Sequence, residues 1–104
     1  MGLFSFLGFG RSAIKDALRK NAVVIDVRTA NEYDQGKVPG SINIPVDRIS
    51  SSIARIKGFE RPIILVCSSG NRSGNALKIL KANGVNDALN GGNWEQVVRL
   101  VKHL

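Results

Sequence analysis

The sequence predicts an α/β fold: an open, mostly parallel sheet with helices on both faces. Two observations carry this. The runs AVVIDV (22–27) and IILVC (63–67) are apolar almost throughout and rich in β-branched residues, the pattern of strands buried on both sides. Around them lie segments whose apolar residues recur at helical spacing, and strands alternating with helices are the pattern of a parallel sheet.

In chain order, the opening MGLFSFLGFG (1–10) is apolar but well short of the roughly 20 residues of a spanning helix. It lacks a basic leading segment and a small-residue cleavage pattern, and Phe6 stands where a myristoylation motif has Ser or Thr. Residues 1–10 are therefore expected as an apolar arm folded against a single domain of residues 11–104, because Phe4, Phe6 and Phe9 left in water would form an apolar patch. Membrane contact by this arm, continued by a basic helix, is the less favoured alternative. A helix is expected over Ser12–Lys20, carrying Ile14, Ala17 and Leu18, and then the strand 22–27. Thr29 and Glu32 have capping-box spacing, so a short helix starts at Ala30 and ends before Gly36. SINIP (41–45) is a strand candidate. Asp47–Lys57 reads as a helix on Ile49, Ile53 and Ile56, followed by the strand 63–67. Ser73–Asn83 reads as a helix on Ala76, Leu77 and Leu80, with Gly84 at C′. DALN (87–90) is a short strand and Trp94–Lys102 a helix on Val97, Val98 and Val101.

Composition removes several function classes. Lys and Arg outnumber Asp and Glu by 15 to 8, yet the charges are scattered and no basic cluster alternates with aromatics. That favours a basic soluble surface, attractive to small anions, over nucleic-acid binding. One cysteine forms no internal disulfide, and there is no Cys/His cluster for a metal. No cofactor is implied, and a reduced, cytoplasmic setting is expected.

Open α/β sheets bind ligands beyond the carboxyl ends of their strands. Asp26-Val27-Arg28 ends one buried strand and Cys67 another, so parallel pairing puts both at one edge. A cysteine ending an apolar strand is by position alone more often a small buried hydrophobe. The residues after it reverse the preference: Ser68, Ser69, Gly70, Asn71, Arg72 and Ser73 are polar or conformationally permissive. Such a loop can turn its N–H groups inward against the next helix terminus and hold an anion, here the Cys67 thiolate. Free Cys has a pKa of about 8.5, and a helix N-terminus contributes at best about 2 kcal/mol. A thiolate at neutral pH needs more donors, for which the loop N–H groups and Arg72 are the candidates.

Three segments together resemble the rhodanese/Cdc25-phosphatase-like superfamily, and within it a single-domain rhodanese. They are VVIDVRTANEYDQGKVPGSINIP, CSSGNRSGNA and GGNWE, which fall between Ala22 and Leu100. The resemblance implies a rhodanese-like sheet and a sulfurtransferase in which Cys67 takes a sulfane sulfur from a small anionic donor such as thiosulfate. The sulfur is then held as a persulfide and passed to a thiol, cyanide or protein acceptor. It also implies that Asp26 and Arg28 brace the neighbouring loops, with Arg28 paired to Glu32. Three points of difference stand out: Lys37 replaces the usual His, Trp94 comes one residue early, and the extra short N-terminal strand of many single-domain members has LFSFLGF (3–9) in its place, a segment that leaves open whether it supplies that strand.

Two rival functions differ from this pattern. A phosphatase of this superfamily has five residues between Cys and Arg, whereas Cys67 and Arg72 enclose four, and no aspartic general acid is evident. A non-catalytic binding module is recognised by loss of the nucleophile, and Cys67 is present. His103, next to the last residue, is expected at the surface, Trp94 in packing, and Ser50–Ser52 on a solvated helix face.

Overall fold

The computed structural model describes the backbone of residues 2–104 and the side chains of residues 10–104. Five helices and four strands alternate: α1 (Gly2–Arg19), β1 (Val23–Asp26), α2 (Ala30–Gln35), β2 (Ile42–Asn43), α3 (Ile53–Gly58), β3 (Ile63–Cys67), α4 (Asn71–Ala82), β4 (Ala88–Asn93) and α5 (Trp94–Lys102). The sheet has the order β2-β1-β3-β4, and all its pairings are parallel, with Asp26 beside both Asn43 and Val66.

Apart from Asp26 at the end of β1, the two central strands are apolar because successive side chains point to opposite faces and both faces are covered. Val23, Ile25, Leu65 and Cys67 point toward α3 and α4, where Ile56, Ala76 and Leu80 meet them. Val24, Ile64 and Val66 point the other way, onto Ile14 and Ala17 of α1 and Val97 of α5. Each fully buried aliphatic side chain contributes about 1.5–3 kcal/mol, so the sheet edge bearing Cys67 rests on a rigid base. α2 begins as its sequence requires. Thr29 Oγ1 accepts from the Glu32 N–H at 3.3 Å, and the Thr29 N–H donates to Glu32 Oε1 at 3.1 Å.

Four expectations about elements are corrected. The first helix starts at Gly2, not Ser12, so residue 10 is not an element boundary; the packing of Phe4, Phe6 and Phe9 lies outside the described residues. The segment 47–57 is not one helix: 3₁₀ turns at Val46–Arg48 and Ser50–Ser52 precede the six-residue α3. Ser51 and Ser52 hydroxyls donate to the Arg48 carbonyl at 3.0 and 2.8 Å, the local competition by which serine interrupts helices. α4 starts two residues early, and β4 runs on through Gly91 and Gly92 to Asn93. Among the described residues no helix is long and apolar enough to cross a membrane.

Candidate active site

β3 ends at Cys67, and the chain turns through Ser68-Ser69-Gly70 into α4. Gly70 has φ +93°, a left-handed conformation that glycine adopts without a Cβ penalty. Asn71 is the first residue of the helix. The turn folds back over the sulfur, and Cys67 is fully buried. Its Sγ lies 3.0 Å from the Gly70 N–H, 3.5 Å from the Ser73 N–H and 3.2 Å from Ser73 Oγ. Burial pushes the thiol up, and it is opposed by hydrogen bonds to the thiolate from the Ser73 hydroxyl and the N–H groups of Ser73, Gly70 and Ser69; the outcome is a thiol below its ordinary value. The helix α4 starts against the sulfur, adding the positive end of its dipole.

The charged groups are distributed differently from the expectation. Arg28 does not pair with the Glu32 carboxylate. Its Nε and Nη2 donate to Asp26 Oδ1 and Oδ2 at 2.9 and 2.7 Å. Its remaining donors reach the carbonyls of Glu32 at 3.3 Å and Gly36 at 2.6 Å, and its guanidinium lies 4.7 Å from the centre of the Trp94 ring. The reason is burial: Asp26 is fully enclosed, and an enclosed carboxylate without a counter-charge is far costlier than an exposed one. Arg28 thus ties the end of β1 to the backbone carbonyls of Glu32 and Gly36.

Glu32 is left for Arg72, whose Nη1 and Nη2 donate to its two oxygens at 2.7 and 3.0 Å. A planar guanidinium matches a carboxylate in this two-bond fashion. Arg72 therefore makes no hydrogen bond to Cys67 Sγ, contrary to its expected role as a donor to the thiolate, and reaches the site only as a nearby charge and through Ser68 Oγ at 3.4 Å. The hydrogen bonds from Arg72 and the Thr29 backbone hold the Glu32 carboxyl down at about 2, and the bond to Glu32 pushes Arg72 up.

Two asparagines missed in the sequence complete the wall. Asn93 Nδ2 donates to the Ser68 carbonyl at 2.8 Å. Asn90 Nδ2 donates to the Gly70 carbonyl at 3.1 Å, while its Oδ1 accepts from Ser73 Oγ at 2.7 Å and from the Gly92 N–H at 2.9 Å. A bulge brings them there: Leu65 faces Asn90 but Val66 faces Gly92, so Gly91 is the extra residue. A Cβ on Gly91 would lie 2.7 Å from Ile64 Cγ2 and 3.1 Å from the Leu65 carbonyl oxygen, which is why this position is glycine. The available signal was two asparagines flanking Gly-Gly, since bulges re-aim side chains near sites.

The remaining candidates fall away from the sulfur. Lys37 is exposed, with Nζ 4.7 Å from the Tyr33 ring centre. His103 and Ser50 are exposed. Trp94 packs on the core cluster of α1 and α5. An open cleft of about 420 Å³ is lined by Asn43, Pro45, Arg48, Ser52 and Arg55 among others, and by no residue of the Cys67 loop.

Comparison with known proteins agrees with this architecture. A family model, Rhodanese-like domain, matches residues 11–98. Uncharacterized protein YqhL of Bacillus subtilis is 34% identical over 71 residues, which cover 68% of this chain but 56% of YqhL. Thiosulfate sulfurtransferase PspE of Escherichia coli is 34% identical over 74 residues, covering 70% of this chain and 71% of PspE. The solved structure of a rhodanese with anions from E. coli superposes with a TM-score of 0.66 at 32% identity, over 71% of this chain and 88% of that one. With its sheet, its cysteine loop and a family model spanning nearly all of the domain in agreement, the chain belongs to the rhodanese-like domain family.

Proposed function

We propose that this chain is a sulfurtransferase of the thiosulfate type, with Cys67 as the sulfur carrier. The observation that supports it most is the convergence of the Gly70 and Ser73 N–H groups on one buried sulfur at the start of a helix. Oriented backbone donors favour an anion, and a thiolate is the reactive form of cysteine.

In the first step the Cys67 thiolate attacks the outer sulfur of thiosulfate. A new S–S bond forms, the S–S bond of thiosulfate breaks, and its electron pair leaves with sulfite. The persulfide's terminal sulfur is itself anionic and polarizable, suited to the same N–H groups. In the second step an acceptor, either cyanide or a thiol, attacks that sulfur and expels the Cys67 thiolate. Cyanide leaves as thiocyanate. These 104 residues hold no second cysteine, so the acceptor, a small molecule or a partner protein, comes from outside. The chain's net charge of +7 favours the approach of small anions.

Steady-state transfer from thiosulfate to cyanide tests this reading. Cys67→Ser, nearly isosteric, is expected to abolish thiocyanate formation while leaving the thermal midpoint close to that of the parent. Transfer that persists in the serine variant contradicts the assignment.

A further inference from the structure

Once Cys67 is a thiolate, the hydrogen-bond chain Asn90–Ser73–Cys67 has two contacts and a single hydrogen, that of the Ser73 hydroxyl, to fill them. The Asn90 amide is fixed in orientation: its NH₂ faces the Gly70 carbonyl at 3.1 Å and its oxygen faces the Gly92 N–H at 2.9 Å. A flipped amide would set donor against donor and acceptor against acceptor. Oδ1 therefore points at Ser73 Oγ, 2.7 Å away. An amide oxygen has no hydrogen, so the Ser73 hydroxyl is the donor, and a hydroxyl has only one hydrogen. Toward Cys67 Sγ, at 3.2 Å, it then presents lone pairs alone.

We propose that Asn90 is a positioning residue that draws the Ser73 hydroxyl hydrogen away from Cys67, so that Ser73 accepts from the neutral thiol and turns to donate only once the sulfur is anionic. In the resting arrangement the order is Cys67 S–H to Ser73 Oγ, and Ser73 O–H to Asn90 Oδ1. When the thiol loses its proton, Ser73 lone pairs would face a sulfur anion. The hydroxyl then rotates its hydrogen onto Sγ, and Asn90 Oδ1 keeps only the Gly92 N–H. Deprotonation thus carries the loss of one neutral hydrogen bond, equivalent to about three- to tenfold in an equilibrium constant. Gly70 and Ser73 N–H groups donate in both states.

The charged groups nearby lie outside this exchange. Arg72 of α4 is tied to Glu32 of α2, and Asp26 of β1 to Arg28. Asp47 and Arg48, on the 3₁₀ turn packed against α4, lie toward solvent. β4 brings only the uncharged Asn90 and Asn93. The inference concerns the thiol's own titration and holds whether or not sulfur is transferred, so failure to load sulfur leaves it standing.

The pH dependence of Cys67 alkylation in the full chain tests it. Asn90→Ala frees the hydroxyl to donate to the thiolate, so the thiol is expected to become more acidic, its ionisation constant rising about three- to tenfold and the midpoint of the alkylation profile moving to lower pH. A merely structural role for Asn90 moves the pKa the other way, because loosening the loop withdraws the Gly70 N–H. In a Ser73→Ala background Asn90→Ala is expected to give no gain. An unchanged or less acidic thiol in Asn90→Ala overturns the proposal. Should that variant not fold, the infrared S–H stretch of the parent decides, and it is unambiguous because the chain has one cysteine. A band lowered by donation to Ser73, and raised in Ser73→Ala, supports the proposal. A band at the free-thiol position, unmoved by Ser73→Ala, overturns it.

Discussion

Two arginine–carboxylate pairs stand at the same edge of the sheet, and they do different work. Asp26–Arg28 is almost wholly enclosed, with side chains 0% and 5% exposed. Glu32–Arg72 is 37% and 35% exposed. Both set a guanidinium against the two oxygens of a carboxylate at similar lengths, so the approach does not separate them; solvent does. The enclosed pair cannot lose a member without stranding a charge in the interior, and Arg28 spends its other donors on loop carbonyls. The half-exposed pair spans 40 positions of sequence and fastens α2 to the Cys67 loop, with water ready to solvate either partner if the other is removed.

The largest expected effect is therefore at the enclosed pair. Asp26→Asn leaves Arg28 without a counter-charge and is expected to destabilise the domain by about 3–5 kcal/mol, a large fraction of the roughly 5–15 kcal/mol that holds a small domain folded. Denaturant titration of this variant reads it directly. A loss below about 1 kcal/mol would mean that water reaches Arg28.

At the half-exposed pair, Glu32→Gln keeps a capping-box residue and removes the ion pair alone. Its expected cost is about 1 kcal/mol or less. Arg72→Ala releases Glu32 and Ser68 together, and because Arg72 makes no bond to the sulfur, thiosulfate kcat/KM is expected to fall by roughly tenfold or less rather than vanish. A hundredfold loss would show that Arg72 leaves Glu32 to meet the donor during turnover.

Acid titration sharpens the same contrast. Glu32 is held down to about 2 in the folded chain, against an ordinary value of 4.5. A depressed folded pKa stabilises the fold above the ordinary value and is lost as pH falls through the folded one. The Glu32 contribution is thus expected to be full above about pH 4.5 and to fade between there and about 2, with Glu32→Gln flattening that window. The smallest effect is that of salt: raising ionic strength should weaken the Glu32–Arg72 pair and leave Asp26–Arg28 unmoved, which a double-mutant cycle at two salt concentrations measures.

Which pairs form was the least legible part of the sequence. The central strands could be read because their apolar runs admit only a doubly covered sheet, and α2 because Thr29 and Glu32 announce its cap. The family motifs located Cys67 and its loop. Pairing was not legible, because Arg28, Arg72, Asp26 and Glu32 offer two chemically reasonable matchings, and only burial of Asp26 selects between them. Nor was the part played by Asn90: its approach to Ser73 depends on the bulge at Gly91, a register slip of one residue that leaves no periodic trace. The helix break at Ser50–Ser52 was hidden for a related reason, since the isoleucine spacing persists while serine hydroxyls compete for the backbone.

If Cys67 is a sulfur carrier whose anionic form the loop N–H groups hold, thiosulfate must leave its outer sulfur on this one residue. Intact-protein mass spectrometry after incubation with thiosulfate tests that most directly. The expected result is an added mass of one sulfur atom per chain, absent in Cys67→Ser and removed by cyanide. A parent chain that gains no sulfur, while its thiol remains open to alkylation, would contradict it.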